Sequence, residues 1–254
     1  ALKRVDAVAM HADETVKTNI VGSMNVFRAA LECGVPKVLL ISSDKAVLPT
    51  NSYGASKQMA EWVATGFNTY SVPRGTRIAA IRYGNVLGSR GSVIHVWRKA
   101  LRENRPLPLT DPYATRFVIT MDEALDCISE ALEAMQGGEI FVPRLGWAFV
   151  EDIGRALAGT MEGRPCPVKW PKFETIGLRA GGEKIHEQML SDDERYRCSE
   201  TDRSYVILPH IRSWGVEKEW AKRTDRVSEY VSGGPFVPRR LPRELEPLVA
   251  AVPE

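Results

Sequence analysis

Residues 37 to 57 read KVLLISSDKAVLPTNSYGASK, a stretch that combines a strand, a loop and the start of a helix. The run KVLLIS at Lys37–Ser42 is short and almost continuously apolar, as a parallel strand buried on both faces requires. A turn-rich loop follows, and apolar residues recur at helical spacing from Gly54 to about Thr69. The apolar stripe of this predicted helix contains Met59, Trp62 and Val63.

The flanking segments continue this alternation of strand and helix. Upstream, an amphipathic helix is predicted to end at Gly34, and its apolar face comprises Val16, Ile20, Met24, Phe27 and Leu31. Downstream, RIAAIRY at Arg77–Tyr83 is a second apolar strand, and shorter strands and helices follow it. An α-β-α-β order implies right-handed crossovers, so we predict an α/β fold with a doubly wound, Rossmann-like parallel sheet.

The composition argues against several classes of protein. The chain has 254 residues, of which 44% are hydrophobic and 26% charged, so it can bury a large core and is not disordered. Lys and Arg number 34 against 32 Asp and Glu, a balance that argues against a nucleic-acid partner. No apolar run reaches the roughly 18 residues of a membrane-spanning helix, and we expect a cytoplasmic protein. Four cysteines and four histidines without ligand spacing argue against a disulfide framework and a metal site.

The most informative pattern is Tyr53-x-x-x-Lys57 at the start of the predicted helix. Residues four apart share a helix face, so the Lys57 ammonium can lie near the Tyr53 phenol and lower its pKa toward neutrality. Such a tyrosine can act as the base in alcohol oxidation. The spacing is frequent by chance, and its position after a buried strand and a loop is what favours the catalytic interpretation.

The loop itself carries a second candidate, Ser42-Ser43-Asp44-Lys45, directly after the strand. Ligands of open α/β sheets bind outside the carboxyl ends of the strands. Asp44 and Lys45 are therefore placed where an acid and an amine could act on two sides of a substrate. A solvated turn with two charged residues is the alternative interpretation.

Two glycine-containing segments are candidates for binding phosphate. In Arg82–Gly91 the glycines allow a ligand close to the backbone, and Arg90 and a following helix N-terminus suit an anion. In Gly177–Glu187 an arginine and a carboxylate could bind a diphosphate and a ribose diol, respectively. The alternatives are an ordinary strand-to-helix connection and a charged loop.

Together, these segments resemble the inverting UDP-N-acetylglucosamine 4,6-dehydratases, a branch of the extended short-chain dehydrogenase/reductases. The resemblance runs from Ala1 to about Pro209. It rests on ALKRV, KTNIVGSMNVFRAALECGV, SSDKAV-x-P-x-N-x-YGASK, RYGNVLGSRGSV, LTD with TRFVIT after it, GGEIFVP and GEKIHE. Asp44-Lys45 discriminates best, because retaining sugar-nucleotide 4,6-dehydratases usually have Asp-Glu there and simple 4-epimerases lack the pair.

The resemblance implies a lyase of surface polysaccharide or nonulosonic acid biosynthesis that makes a UDP-4-keto-6-deoxy sugar from UDP-N-acetylglucosamine. Tyr53, helped by Lys57, would remove the C4 hydroxyl proton while hydride passes to NADP, with NAD as the alternative. Lys45 would then remove the C5 proton as a neutral amine, and Asp44 would protonate the departing C6 hydroxyl. Return of hydride to C6 and protonation of C5 on the opposite face would invert C5.

The resemblance also implies binding residues. Those expected at the cofactor are Lys3, Asn19, Ser42, Tyr53, Lys57, Val86, Leu87, Gly88, Ser89 and Arg90. Those expected at the substrate are Lys3, Lys45, Asn85, Val93, Thr110, Arg179 and Glu183. The expected partner is UDP-N-acetylglucosamine, with no nucleic acid and no membrane, and the chain is expected to form a homo-oligomer.

The sequence departs from the family in two places. The family begins with a strand, a G-x-x-G-x-x-G turn and a helix that this sequence does not contain. We therefore expect a truncated fragment with weak or no NADP binding of its own. The segment Ala180-Gly181-Gly182 is one residue longer than the family spacing, which affects how Arg179 is aimed. Two alternative functions stay open: an NAD(P)-dependent UDP-sugar 4-epimerase and a non-catalytic UDP-binding remnant.

These expectations divide the chain into three consecutive parts. Residues 1–92 would be the C-terminal portion of an NAD(P)-binding Rossmann domain that lacks its first strands. Residues 93–213 would be a smaller α/β part that binds the nucleotide sugar. Residues 214–254 would be a charged, proline-rich tail that packs loosely.

Overall fold

The computed structural model describes residues 1–3, 5–162, 171–179, 181–210, 214, 220 and 227–253. Its α-helices are α1 (Val5–Met10), α2 (Ala12–Thr15), α3 (Gly22–Glu32), α4 (Ser52–Ser71), α5 (Val93–Arg102), α6 (Met121–Ala134), α7 (Val150–Glu162) and α8 (Pro242–Ala250). A π-helix, Val16–Val21, joins α2 to α3, and short 3₁₀ helices are Asp44–Ala46, Val72–Arg74 and Glu194–Tyr196. The strands are β1 (Lys37–Ile41), β2 (Arg77–Ile81), β3 (Asn85–Val86), β4 (Leu107–Leu109), β5 (Thr115–Ile119), β6 (Ile140–Pro143), β7 (Trp147–Phe149), β8 (Phe173–Thr175), β9 (Cys198–Glu200) and β10 (Ser204–Ile207).

The chain divides into two compact units, and both are discontinuous in sequence. Unit 1 comprises Ala1–Tyr83, Leu125–Arg144 and Gln188–Tyr230. Unit 2 comprises Gly84–Ala124, Leu145–Glu187 and Val231–Glu254. The three consecutive parts predicted from the sequence do not coincide with these packing units, because β6, β9 and β10 join the sheet of the N-terminal residues. As a division of binding roles, they stay a prediction.

Unit 1 is built on a five-stranded sheet of order β1-β2-β6-β10-β9. The strands β1, β2 and β6 are parallel, with Leu39 opposite Ala79 and Ile81 opposite Phe141. The strands β10 and β9 extend the sheet in antiparallel pairings. The predicted α/β fold is confirmed, and the sheet is mixed beyond β6.

Helices cover both faces of this sheet, as a doubly wound arrangement requires. On one face, Ala131 of α6 and Met135, the residue after this helix, pack onto Ala79, Ile81 and Phe141. On the other face, the apolar cluster consists of Phe27 from α3, Ala64 and Phe67 from α4, and Ile78 from β2. The alternation of side chains along β1 and β2 supplies both faces, because successive residues of a strand point to opposite sides.

The burial of β1 and α4 differs in part from the sequence pattern. Within the described residues β1 pairs with β2 and is half-buried along most of its length. On α4, Met59 and Trp62 are 42% and 59% exposed, so of the three residues of the predicted apolar stripe only Val63 packs against the core. Small residues such as Ala60 and Ala64 occupy that inner face and let the helix approach the sheet closely.

Unit 2 contains a three-stranded sheet of order β3-β5-β7 and a two-stranded sheet of β4 and β8. Its core includes Trp97 of α5, Leu157 of α7, and Leu245 and Val249 of α8. The helix α8 belongs to the segment predicted to be a loose tail, and that prediction is wrong for residues 227–253 because apolar residues four apart in α8 are fully buried. The other residues of the predicted tail, except Trp214 and Trp220, lie outside the described residues.

Among the described helices, none has the length and apolarity that crossing a lipid bilayer demands. Of the cysteines, Cys33 is exposed, Cys127 is half-buried and Cys198 is buried. Cys166 lies outside the described residues.

Candidate active site

The end of β1 carries the residues on which the catalytic hypothesis depends. Past the strand, the Ser42 amide donates to the Ile81 carbonyl at 2.7 Å and the Asp44 amide to the Tyr83 carbonyl at 3.2 Å. These bonds continue the parallel pairing with β2 and fix the path of the loop. The Ser43 hydroxyl then caps the 3₁₀ helix by accepting from the Lys45 amide at 3.3 Å.

Asp44 and Lys45 form an ion pair at this strand end. Asp44 is fully buried, and its Oδ1 accepts from the Ser43 hydroxyl at 2.7 Å and from Lys45 Nζ at 3.0 Å. Its Oδ2 is buried and has no hydrogen-bond partner among the residues that the structure describes. The Lys45 side chain is 26% exposed. A buried carboxylate with one unused oxygen is a group that a ligand can complete, because such an oxygen costs free energy while it stays unpaired.

Tyr53 lies within the electrostatic reach of both residues. Burial raises the pKa of its phenol, the Lys45 cation lowers it, the Asp44 carboxylate raises it, and a hydrogen bond with Ser43 lowers it. The net direction is upward. The predicted lowering of the Tyr53 pKa by Lys57 is therefore wrong for this structure, in which Lys45 is the cation that favours the phenolate.

The start of α4 explains why Tyr53 and Lys45 lie close together. Asn51 caps the helix by accepting from the Gly54 amide at 2.8 Å. A Cβ on Gly54 would lie 2.3 Å from the Lys45 carbonyl oxygen and 2.9 Å from Pro49 Cβ. Only glycine allows the helix to begin directly against the loop that carries Lys45.

Lys57 and Ser42 hold the end of β1 through hydrogen bonds. The buried Lys57 ammonium donates to the Ile41 carbonyl, and the buried Ser42 hydroxyl donates to Glu61. Ser43, which the sequence places in the same loop without a role, is the serine that contacts Tyr53. The signal that could have distinguished Ser42 from Ser43 is their order along the strand end, because neighbouring side chains of a strand point to opposite sides of the sheet.

Three charged residues missed by the sequence interpretation surround this strand end. Arg82 is buried and binds both oxygens of Glu61, with Nε–Oε1 and Nη2–Oε2 distances of 2.9 and 2.7 Å. It also binds both oxygens of Glu194, at 2.7 and 2.8 Å. The spacing of four residues between Lys57 and Glu61 could have indicated the first contact. Nothing in the local sequence indicates Glu194.

Asn19 and Lys3 were expected at the cofactor. Asn19 is buried in the π-helix. Its Oδ1 accepts from the Leu2 amide at 2.7 Å, and its Nδ2 donates to the Leu2 carbonyl at 2.9 Å and to the Ser56 hydroxyl at 3.0 Å. Its polar atoms thus join the first residues of the chain to α4. Lys3 is exposed. Their cofactor roles stay predictions.

The glycine-rich loop lies in unit 2. Val86 pairs with Ile119 in the β3–β5 ladder, and the Leu87 amide donates to the Ile119 carbonyl at 2.9 Å. Gly88 has a φ of +72° and packs so tightly on Val252 that a Cβ would lie 2.2 Å from its Cγ1. The remaining predicted residues of this region are exposed or half-buried: Asn85, Ser89, Arg90 and Val93.

The predicted UDP-binding pair also lies in unit 2. Glu183 accepts from Arg179 Nη2 at 2.9 Å and from Arg116 Nη2 at 2.8 Å. Burial alone would raise the pKa of Glu183, but the two arginines hold it below its usual value. Arg116 was not predicted; it is buried and fixes Glu183 from the strand β5. Thr110, half-buried, follows β4.

Comparison with known proteins gives one family and several relatives. Residues 1–209 match the family described as polysaccharide biosynthesis protein. A UDP-N-acetylglucosamine 4,6-dehydratase (inverting) from Campylobacter jejuni is 37% identical over 213 residues, which are 84% of this chain and 60% of that protein. A UDP-glucose 4-epimerase from Rickettsia bellii is 35% identical over 235 residues, which are 91% of this chain and 67% of that protein.

Two solved structures extend the comparison. Pen from Bacillus thuringiensis superimposes with a TM-score of 0.84 at 31% identity, over 98% of this chain and 72% of that one. The dTDP-glucose 4,6-dehydratase DesIV from Streptomyces venezuelae, solved with NAD and TYD bound, has a TM-score of 0.62 at 21% identity, over 72% of this chain and 60% of that one. The second likeness shows the fold alone. The chain spans about three fifths of the length of the Campylobacter relative.

Proposed function

The chain belongs to the family of polysaccharide biosynthesis proteins, and we propose that the whole protein is a lyase that dehydrates UDP-N-acetylglucosamine with inversion at C5. The product is a UDP-4-keto-6-deoxy sugar. The observation that carries the proposal is the ion pair of buried Asp44 with half-buried Lys45, within electrostatic reach of Tyr53. An acid, an amine and a phenol at the end of one strand are the groups that oxidation at C4 followed by loss of water from C5 and C6 needs.

The proposed cofactor is a nicotinamide dinucleotide, with NADP as the form implied by the sequence resemblance. When bound, such a cofactor would supply reversible hydride transfer, from C4 of the sugar and back to C6. Tyr53 and Lys57 fit such a ligand, because they lie beside the carboxyl end of a parallel strand, where open α/β sheets bind dinucleotides. Asn19 and Ser42 already bind protein groups, so we assign them to shaping the site. Residues 86–90 complete the proposed set.

Tyr53 is the proposed base of the first step. Its phenolate removes the C4 hydroxyl proton, and the Lys45 cation and the Ser43 hydroxyl are the groups that favour that phenolate. The ketone formed at C4 then acidifies the C5 proton. Tyr53 must lose the proton it has taken before the next turnover. The proton count closes because Asp44, which gives one proton to the departing C6 hydroxyl, must regain one.

Asp44 and Lys45 are proposed to share one proton during the loss of water. The pair can exist as carboxylate and ammonium or as carboxylic acid and amine. The two forms differ only in the position of one proton, which moves between Lys45 Nζ and Asp44 Oδ1, 3.0 Å apart. In the neutral form Lys45 removes the C5 proton, and Asp44 protonates the C6 hydroxyl as it departs.

The substrate-binding residues of unit 2 form the last part of the proposal. Arg179 is assigned to the diphosphate and Glu183 to the ribose diol, with Asn85, Val93 and Thr110 as further contacts. The pairing of Arg179 and Glu183 with each other and with Arg116 supports a preformed polar surface. The homo-oligomeric state and the cytoplasmic location stay predictions, and sedimentation of the purified protein tests the first of them.

A 4-epimerase is the second candidate, and the similarity to the Rickettsia relative named UDP-glucose 4-epimerase favours it. Epimerisation needs Tyr53 and the cofactor but gives no task to the Asp44–Lys45 pair. The test is incubation of the whole protein with UDP-N-acetylglucosamine in deuterium oxide. We expect a 4-keto-6-deoxy product with deuterium at C5. A 4-epimerised sugar without loss of water would establish the epimerase instead, and absence of any turnover would favour a non-catalytic UDP-binding protein.

A further inference from the structure

A buried chain of charges lies behind the proposed catalytic residues. Glu61 on α4 is fully buried, Arg82 at the end of β2 is 2% exposed, and Glu194 is mostly buried. Arg82 forms two hydrogen bonds with each carboxylate and one with the Met189 carbonyl at 3.0 Å, so all its donors point inward. Burying three charged groups costs free energy that apolar side chains would not require. The arrangement therefore calls for a purpose other than stability.

The position of Glu61 suggests that purpose. It is the one carboxylate of the two that contacts the end of β1, through the Ser42 hydroxyl. Lys57, one helical turn before it, donates to the carbonyl of Ile41, the residue before Ser42. Two successive residues of the strand end are thus held by two side chains of α4. The residues that follow directly are Ser43, Asp44 and Lys45.

We propose that Glu61, fixed on both oxygens by Arg82, is a positioning residue that holds the end of β1 so that Ser43, Asp44 and Lys45 face Tyr53. The inference deepens the proposed dehydratase function and rests on it. The Glu61 charge also acts on Lys57: burial lowers the pKa of that ammonium and Glu61 opposes the change. Glu61 therefore supports both contacts to the strand, one by accepting a hydrogen bond and the other by favouring a charged donor.

Glu194 provides the matched control. Replacing Glu194 by Gln removes one negative charge beside Arg82, as replacing Glu61 does. The described hydrogen bonds of the Glu194 carboxylate are with Arg82 and with the Ser191 backbone amide at 2.8 Å, and not with β1. A purely structural role for the ion pairs predicts similar consequences for Glu61→Gln and Glu194→Gln. A positioning role predicts that only Glu61→Gln impairs the reaction.

The experiment measures kcat, KM and the melting temperature of the whole protein and both variants with UDP-N-acetylglucosamine, and follows formation of the 4-keto-6-deoxy product. We expect both variants to melt at a lower temperature. Glu61→Gln should lower kcat by about 10- to 100-fold with KM within about threefold, as a small misplacement of reacting groups does. Glu194→Gln should keep kcat within about threefold. An unchanged kcat in Glu61→Gln, or equal losses in both variants, would overturn the proposal.

Ser42→Ala is the second variant, and it leaves the ion pairs of Arg82 with Glu61 and Glu194 in place. It therefore tests the positioning role even if Glu61→Gln fails to fold. It should lower kcat by about 3- to 10-fold with a nearly unchanged melting temperature, and an unchanged kcat would contradict a positioning role. A wild-type protein that epimerises the sugar would overturn the dehydratase function alone, because the same variants are then compared on epimerisation. No turnover of any UDP-sugar would overturn both.

Discussion

The end of β1 and the segment around Arg179 both pair an acidic with a basic side chain, yet they hold them in opposite ways. At the end of β1, Asp44 is fully buried, and the loop is tied to β2, to α4 and to the Glu61–Arg82 pair. In unit 2, Glu183 is buried on Arg116, while the Arg179 side chain is 60% exposed. The loop of the proposed catalytic residues is held by several hydrogen bonds, whereas the side chain of Arg179, the proposed binding cation, is largely exposed.

This difference has an energetic basis. Breaking a buried ion pair by removing one partner typically costs about 3 to 5 kcal/mol, because an uncompensated charge stays inside the protein. Exposed pairs contribute about 0 to 1 kcal/mol, so an exposed arginine can leave its carboxylate for a ligand at little cost. The first region is suited to chemistry and the second to reversible binding. The following predictions test that contrast, beginning with the largest effect.

The removal of the Tyr53 hydroxyl should have the largest effect. We expect Tyr53→Phe in the whole protein to lower kcat by about 10³-fold, since the base that starts the reaction is lost, with little change in KM. The measurement is steady-state turnover of UDP-N-acetylglucosamine. Tyr70→Phe is the control, because Tyr70 lies on the same helix and is 48% exposed. Equal activity of Tyr53→Phe and Tyr70→Phe would contradict the proposal that the reaction takes place at the end of β1.

The tight contact at the start of α4 should show the next largest effect. Gly54→Ala places a Cβ against the Lys45 carbonyl, and we expect a loss of about 1 to 3 kcal/mol in the free energy of unfolding. Gly66→Ala on the exposed side of the same helix has nothing within 4 Å of its new Cβ and should stabilise by about 0.5 to 1 kcal/mol. Denaturant unfolding compares the two. A lower free energy of unfolding for Gly54→Ala together with a higher one for Gly66→Ala would support the contrast. Equal changes in the two variants would mean that the loop carrying Lys45 moves to accept the new Cβ at little cost.

The exposed arginine of unit 2 should show the smallest effect. We expect Arg179→Ala to raise KM for the UDP-sugar by about tenfold with kcat nearly constant, because it removes binding without disturbing the reacting groups. Arg243→Ala, an exposed arginine on α8, makes the same charge change away from the predicted site. A fall in kcat for Arg179→Ala with constant KM would contradict its role in binding and would weaken the comparison of the two regions.

Local sequence patterns predicted the elements and the residues at the end of β1 well. The strand at Lys37–Ile41, the helix that follows it and the strand at Arg77–Ile81 lie where the apolar spacing places them. Asp44, Lys45 and Tyr53 come together because they are within ten residues of one another and one loop joins their elements. Such proximity is a property of a short segment and can be read from it.

Interactions between distant segments could not be predicted in the same way. The partner of Arg82 lies 112 residues away at Glu194, and no periodicity records such a pairing. The apolar side of α4 was misassigned because large residues, Met59 and Trp62, were given more weight than the small ones that face the sheet. The tail was misjudged because charge and proline dominate its composition, although Leu245 and Val249 carry its packing.

The long separation between Arg82 and Glu194 has a consequence for protein synthesis. A ribosome adds about 5 to 20 residues per second, so 112 residues take roughly 6 to 22 s. Throughout that interval the nascent chain has already produced a guanidinium destined for the interior, with Glu61 as a partner and the second carboxylate still to be translated. Unit 1 can therefore complete both ion pairs of Arg82 only after Glu194 has been translated.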